Sequence, residues 1–106
     1  MPKFCELTLT CADQIEADKI ANALLEKHLV ACVRQTRITS AYWWKGKIEN
    51  DTEILLLMES QEDLFDQIEA EVLKLHSYET PGLYMKTLKR VSKKAAKWLE
   101  SETKDG

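Results

Sequence analysis

Five side chains in the 106-residue sequence are of the types that bind soft or borderline metal ions, namely Cys5, Cys11, Cys32, His28 and His76. Thiolates suit copper(I), and imidazoles suit copper(II) or zinc. No pair among them has a C-x-x-C, H-x-H or H-E-x-x-H spacing. If Cys5 and Cys11 lie on one strand, they are about 20 Å apart. Any metal site must therefore be assembled by the fold.

His76 is the best single candidate for a metal ligand, and Cys11 is the second. His76 ends a predicted helix and is followed by Tyr78 and Glu79. A structural alternative is a histidine that is favoured as a cation by the helix C-terminus, and the two interpretations stay open. For His28, at the end of another predicted helix, we expect a structural role.

No catalytic residue is predicted. Cys11 or Cys32 with His76 would supply a nucleophile and a base, but nothing in the sequence brings them together. The three glycines stand at positions 46, 82 and 106, so a glycine-rich phosphate loop is absent. We therefore expect a protein that is not an enzyme and requires no cofactor.

The composition is that of one globular domain over residues 1–106, with 44% apolar and 31% charged residues. No apolar run approaches the roughly 20 residues that span a bilayer, and residues 1–10 lack the order of a signal peptide. Three sparse cysteines fit free thiols in a reducing compartment. We therefore expect a cytoplasmic protein with no membrane partner.

A basic segment lies near the C-terminus of an acidic chain. Residues 86–97 contain six basic residues and no acidic one, although the whole chain has a net charge of −3. Such a segment can bind nucleic acid or an acidic partner. No nucleic-acid motif accompanies it, so we interpret it as a solvated helix face and predict no nucleic-acid partner.

Hydrophobic periodicity predicts the first two elements. Apolar and polar residues alternate over residues 5–11, as in a strand with one buried face. Asp13 and Glu16 then form a capping-box pattern, which opens a helix that extends to about Leu29.

The middle of the chain predicts a β-hairpin and a second helix. Residues 30–44 and 54–58 are the two arms, with a turn near Lys45 and Gly46, and a bulge is possible at residues 50–51. Ser60 with Asp63 predicts the cap of the second helix. A last strand over residues 83–91, a short final helix and a frayed tail over residues 101–106 follow.

This order, βαββαβ with a C-terminal helix, predicts an α+β, ferredoxin-like fold: an antiparallel sheet with both main helices on one face. The other face would normally be polar. Instead, segment 54–58 is apolar on both faces, and adjacent Trp43 and Trp44 must point to opposite sides of a strand.

Burying Tyr42, Trp43 and Trp44 is worth on the order of 10 kcal/mol per chain, which rivals the stability of a whole domain. We therefore predict that symmetric copies of the chain cover these residues, together with Ile54 and Leu56. The alternative is that the aromatic residues enlarge the core of a monomer.

The same segments carry a resemblance to the CutA family of divalent-cation tolerance proteins. "LEKHLVACV" resembles the family's segment ending in cysteine, "SAYWWKGKIENDTEILLL" resembles its tyrosine-tryptophan and Gly-Lys hairpin, and "HSYETP" resembles its histidine loop. The resemblance spans about residues 5–100. The sequence departs from the family pattern at Ala12, Lys45, Ser77 and Gly82, and a cysteine proposed as a copper ligand in some members falls at Leu9, two positions from Cys11.

The resemblance implies a ferredoxin-like homotrimer, linked to tolerance of copper and other divalent metals and without established enzymatic activity. We accordingly predict weak binding of copper or another divalent cation in clefts between subunits, with His76 and Cys11 as ligands. The alternative is a PII-type signalling module, a trimer of similar fold that binds a nucleotide or small effector between subunits.

Overall fold

The computed structural model describes residues 2–104, and its elements follow the predicted order. They are strand β1 at Phe4–Cys11, helix α1 at Gln14–Glu26, strands β2 at Cys32–Trp44 and β3 at Lys47–Gln61, helix α2 at Phe65–Leu75, strand β4 at Leu83–Thr87 and helix α3 at Lys93–Glu102. The strands form one antiparallel sheet in the order β2-β3-β1-β4. The predicted α+β, ferredoxin-like fold is confirmed, although β4 ends at Thr87 instead of Val91.

Strand β1 gives the sheet a buried face and an open face. Its residues alternate between full and partial burial, and the buried ones form the core together with side chains of α1 and α2. Thr8 and Thr10 lie on the opposite face, where Leu55 and Leu57 of β3 are only half-buried. On the open face these leucines lie between Thr8, Thr10, Arg34 and Thr36, so the apolar face that the sequence predicts is confirmed only in part.

The register between β1 and β3 corrects the expectation for Ile54 and Leu56. These residues pair with Cys11 and Leu9, so they share the helix-covered face and are buried in the core of the single chain. They cannot face a neighbouring copy, because side chains in a strand alternate between faces with a period of two.

Helix α1 begins with the predicted capping residues, but the Glu16 carboxylate bonds to a different backbone N–H group from the one in a capping box. The Asp13 carboxylate accepts a hydrogen bond from the Glu16 backbone N–H. The Glu16 carboxylate reaches back to the N–H of Ala12 and not to that of Asp13. Both acceptors stabilise N–H groups near the helix start that have no partner within the helix.

The end of α1 is held by His28, which adopts the left-handed conformation with φ 57°. The backbone N–H groups of His28 and Leu29 bond to carbonyls of the last helical turn, as in a Schellman motif. His28 Nδ1 donates to the Glu102 carbonyl, and the Lys104 N–H donates to the His28 carbonyl. The structural role predicted for His28 is confirmed. The predicted fraying is wrong for residues 101–104, and residues 105 and 106 lie outside the described residues.

The predicted cap of α2 is wrong. Ser60 belongs to β3, where it is buried and its hydroxyl donates to the Leu29 carbonyl. Strand β3 continues to Gln61, which pairs with Phe4, and a 3-10 turn then leads into α2 without a side-chain cap. Pairing with the start of β1 therefore extends the strand through residues whose types suit a helix start.

The β2–β3 hairpin is regular and projects beyond the rest of the sheet. Its register runs without interruption from Cys32 paired with Glu59 to Trp44 paired with Lys47, so the bulge considered at residues 50–51 is absent. Strand β1 ends opposite Ile54, which leaves the outer half of the hairpin without a third strand. The accessible surface is 7137 Å², against about 6,100 Å² for a compact monomer of this mass.

The hairpin turn consists of Lys45 and Gly46, which have positive φ angles of 49° and 81°. This is the pattern of a type I′ turn, in which Asn-Gly is the favoured pair. We expect Gly46→Ala to lower the free energy of unfolding by about 1–2 kcal/mol, because a Cβ atom is strained at this φ. Chemical denaturation measures this change in the free energy of unfolding.

Lys45→Asn is the matched variant, because asparagine tolerates the left-handed region. It should leave stability unchanged or raise it. A Gly46→Ala variant as stable as the wild type would show that the turn does not have this conformation.

Candidate metal centre

The fold brings both predicted metal ligands together. Cys11 ends β1, Glu16 lies in the first turn of α1, and His76 is the C-cap of α2. One potential ligand atom of each lies within 4.8 Å of the others, and within residues 2–104 this is the only group of at least three such side chains. Neither Cys32 nor Cys5 joins it.

Glu16 is the member that sequence reasoning missed as a ligand. Its spacing of three residues from Asp13 predicts a role in capping α1, and the structure shows this capping contact. The same position turns the carboxylate back toward the end of β1, which is where Cys11 lies. A carboxylate that caps a helix directly after a strand ending in cysteine is thus the sequence signal that could have indicated Glu16 as a ligand.

The cluster is closed to solvent in the single chain. The His76 side chain is 0% exposed, the Glu16 side chain is 9% exposed, and Cys11 is fully buried. An ion can therefore reach the three side chains only if the groups around them move.

Hydrogen bonds assign a role to each ring nitrogen of His76. Its Nδ1 accepts from the Tyr78 N–H at 3.1 Å, and its Nε2 lies 2.7 Å from the Thr10 carbonyl oxygen. Because a carbonyl only accepts and a backbone N–H only donates, Nε2 is the donor and Nδ1 is the acceptor in this arrangement. Nε2 also lies 3.8 Å from the Glu16 carboxylate.

The Glu16 carboxylate is held by backbone N–H groups from two segments. Oε1 accepts from Ser77 at 2.6 Å, and Oε2 accepts from Ala12 at 2.8 Å. Burial raises the pKa of this carboxyl, but the hydrogen bonds from Ser77 and Ala12 and the nearby His76 together lower it by more, so its pKa lies below the ordinary value. Glu16 is an ionised acceptor that ties the loop after α2 to the start of α1.

The Cys11 thiol is protonated at neutral pH. Burial raises its pKa to about 12, and the negative charges of Glu16, Asp13 and Glu53 add to the effect. A thiol is a nucleophile and a metal ligand only as the thiolate. The proximity of Cys11 to His76 therefore does not create an activated nucleophile, and metal binding by Cys11 requires the loss of a proton.

The loop that closes the cluster also borders a cavity of about 680 Å³ beside the open face of the sheet. Tyr42, Trp44, Tyr78 and Tyr84 contribute aromatic rings to its lining. Glu53 is 4% exposed and accepts a 2.6 Å hydrogen bond from the Tyr78 hydroxyl. Sequence reasoning missed Glu53, although a carboxylate next to the apolar segment 54–58 was a visible signal.

The aromatic residues predicted at an interface remain accessible in the single chain. Trp43 is 72% exposed, whereas Tyr42 and Trp44 are each 37% exposed. Trp44 and Tyr42 alternate with Trp43 along β2, as expected for opposite faces of a strand. The described part of the chain therefore does not bury Trp43, and all three aromatic residues belong to the lining of the cavity.

Comparison with known proteins identifies a family that matches almost the whole chain. Residues 5–102 match the family model described as CutA1 divalent ion tolerance protein. The chain is 34% identical to the divalent-cation tolerance protein CutA of Pyrococcus horikoshii, over 90% of this chain and 93% of that protein. It is 37% identical to the protein of the same name from Archaeoglobus fulgidus, over 87% of this chain and 90% of that protein.

Solved structures agree with this similarity. CutA1 from Oryza sativa superposes with a TM-score of 0.93 at 28% identity, covering 98% of this chain and 96% of that one. The periplasmic divalent cation tolerance protein CutA from Archaeoglobus fulgidus gives 0.90 at 35% identity, covering 96% of this chain and 98% of that one. Within residues 2–104, no helix has the length and apolar character needed to cross a membrane.

The lowered pKa of Glu16 predicts a pH-dependent contribution to stability. A carboxyl with a depressed folded pKa contributes stability above its unfolded pKa, and this contribution disappears as pH falls through the folded value. Glu16→Gln should therefore lower stability by about 1–3 kcal/mol at pH 7 and by less at acid pH. Denaturant titrations between pH 3 and pH 7 would measure both effects.

Glu26→Gln is the matched control, because Glu26 is an exposed carboxylate on the same helix. It should leave both the stability and its pH dependence close to those of the wild type. An equal loss at acid and neutral pH in Glu16→Gln would contradict the role of the ionised carboxylate.

Proposed function

The chain belongs to the CutA1 divalent ion tolerance family, and from this membership we propose that it binds copper or another divalent cation weakly as a homotrimer. The observation that carries the metal proposal is the convergence of Cys11, Glu16 and His76. Sulfur, carboxylate oxygen and imidazole nitrogen together suit copper or zinc better than magnesium or calcium.

Weak binding follows from the present bonding of these ligands. An ion at His76 Nε2 has to replace the hydrogen bond to Thr10, and an ion at Glu16 competes with backbone N–H groups. Binding at Cys11 also releases a proton from a thiol whose pKa is about 12. Each of these changes opposes binding, so we propose a weak site that an ion enters after local opening of the loop at Ser77.

The homotrimer proposal is supported by the apolar surface of the single chain. Trp43, Ile48 and Tyr84 are exposed, and Leu55 and Leu57 are half-buried on the open face. Trp43 and Ile48 pair with each other on one side of the outer hairpin, whereas Tyr84, Leu55 and Leu57 lie on the open face. Two groups of apolar side chains are thus accessible, and a soluble monomer rarely leaves large apolar groups bare. We propose that copies of the chain cover the open face and the outer hairpin, with Tyr42, Trp43, Trp44, Leu55 and Leu57 at the interface.

The cellular location, the PII-type alternative and catalysis remain to be considered. The three cysteines are free thiols, which supports a cytoplasmic location, and that location stays a prediction. The PII-type alternative gains no support from the comparisons, and the hairpin turn of Lys45 and Gly46 leaves no long loop between the middle strands. We propose no catalytic role for Cys11, because its thiol stays protonated.

Calorimetric titration of EDTA-treated protein with Cu²⁺ and Zn²⁺ tests the metal proposal. We expect weak saturable binding that falls about tenfold or more in His76→Ala and in Cys11→Ala, because each variant removes one ligand. His28→Asn and Cys32→Ser are matched controls outside the cluster and should bind like the wild type. Circular dichroism confirms that each variant is folded.

Loss of binding in the control variants but not in the cluster variants would contradict this site. Absence of any specific binding by the wild-type protein would contradict the metal proposal altogether.

Light scattering at micromolar concentration tests the assembly. We expect three times the 12.2 kDa mass of the chain. Trp43→Glu should shift the protein to smaller species, because it places a charge in the proposed interface. Trp98→Glu on α3 is the matched control, since Trp98 is also exposed. A well-folded single subunit of the wild-type chain would contradict the proposal.

A further inference from the structure

A surface of exposed basic residues follows the last strand and continues onto α3. It consists of Lys89, Arg90, Lys93, Lys94, Lys97 and the adjacent Trp98. We propose that this basic surface binds a short acidic segment of a partner polypeptide. The inference goes beyond the proposed metal binding and assembly and depends on neither of them.

The five basic side chains are free of ion pairs within residues 2–104. Each of them is exposed, and none of the ion pairs formed by the described residues includes one of them. Elsewhere in the chain, Lys27 and Lys74 both pair with Glu71, and Arg34 pairs with Glu59. The basic surface therefore offers positive charges that the described part of the chain does not neutralise, and such charges attract an acidic partner.

Helix α3 presents Lys94, Lys97 and Trp98 on its outward side. Lys94 precedes Lys97 by three residues and Trp98 by four, and residues at these spacings are neighbours on a helix surface. Leu99 and Thr103, four residues apart, are buried and define the inward side. Because Trp98 is 45% exposed, an apolar ring lies directly beside the lysines.

Hydrogen bonds hold both ends of this segment in place. The Leu88 N–H donates to the Phe4 carbonyl just before the basic surface begins, and Ser92 caps α3. After the helix, the Lys104 N–H donates to the His28 carbonyl. A partner therefore meets a backbone that is already ordered, which lowers the entropic cost of binding.

The basic surface lies away from the tryptophans of the proposed subunit interface. The Gln61 amide donates to Thr103 at the end of α3, and Gln61 is the last residue of β3. Strand β3 begins at Lys47 beside the hairpin turn, about 45 Å from Gln61 at the usual rise per strand residue. Lys86 is not included in the basic surface, because it follows Tyr84 by two residues in β4 and so shares the open face.

The distribution of charge favours a short acidic peptide over an extended polyanion. The chain has a net charge of −3 and the basic surface contributes five positive charges, so the rest of the chain carries −8. A nucleic acid or an anionic bilayer extends beyond a helix of about 15 Å and meets this negative remainder. A short acidic segment does not, and tryptophan and arginine are the residues that contribute most at protein–protein interfaces.

Fluorescence anisotropy with a labelled peptide of glutamates around one leucine tests the proposal on the full-length, EDTA-treated protein. The same peptide with glutamine in place of glutamate is the neutral comparator. A single-stranded oligonucleotide and vesicles containing phosphatidylglycerol are the extended polyanions. We expect saturable binding of the glutamate peptide that weakens with added salt, weaker binding of both polyanions, and little binding of the glutamine peptide.

Variants locate the contact on α3. Lys94→Glu and Lys97→Glu should each weaken binding of the glutamate peptide about tenfold, because they place a like charge against it. Lys19→Glu makes the same charge change at an exposed position of α1 and is the matched control, with an effect of about twofold at most.

Trp98→Ala should weaken binding of the glutamate peptide about fivefold, because it removes the apolar contact. Leu73→Ala is its matched control, since Leu73 is 60% exposed on α2. Circular dichroism confirms that each variant is folded, and light scattering confirms that its mass equals that of the wild type.

Equal binding of the glutamate and glutamine peptides would overturn the proposal, as would equal losses in Lys19→Glu and Lys97→Glu. Tighter binding of the oligonucleotide or the vesicles than of the glutamate peptide would assign the surface to that polyanion instead. An unchanged affinity in Trp98→Ala would overturn the polypeptide assignment, since charge alone would then explain binding. The metal and assembly proposals are tested separately, because this experiment contains no divalent ion and changes no residue of the Cys11 cluster or the proposed interface.

Discussion

The Glu16 carboxylate is the constraint on which the arrangement around the candidate site depends. It accepts hydrogen bonds from Ala12, just before α1, and from Ser77, just after α2, so it joins two chain segments that are far apart in sequence. Once Ser77 is fixed, the neighbouring Tyr78 N–H meets His76, and the Tyr78 hydroxyl meets Glu53. One carboxylate thus positions the loop that separates a closed, metal-ligand-like cluster from an open, aromatic cavity.

Much of the fold could be predicted from the sequence because local patterns and tertiary packing agree. The alternation over β1, the Asp13 cap and the turn at Lys45 and Gly46 each lie where they were expected. The errors arise where a contact between residues distant in sequence determines the local structure. Ser60 and Asp63 look like a helix start, but pairing of Phe4 with Gln61 extends β3 through that region. The polar tail looks free, but its backbone bonds to His28.

The candidate site was only partly visible in the sequence for a related reason. His76 and Cys11 were identified by residue type, whereas Glu16 had already been given a local role as a cap, and Glu53 lies in a strand that appeared purely apolar. Their partners come from elements that are distant along the chain. The assignment of Ile54 and Leu56 to the surface failed because an apolar run does not reveal which of its faces meets the helices; the register with β1 decides this.

The position of β1 in the sheet has a consequence for how the protein is made. This strand is synthesised before both of its neighbours, β3 and β4, which belong to later parts of the chain. Among the strand pairs of the described residues, only β2–β3 joins strands that are adjacent in sequence. We therefore expect newly synthesised chains to acquire the hairpin early, with its tryptophans exposed, and to close the central sheet only after β4 has been synthesised. Pulse-labelling hydrogen exchange would reveal this order as protection of the hairpin amides before those of β1.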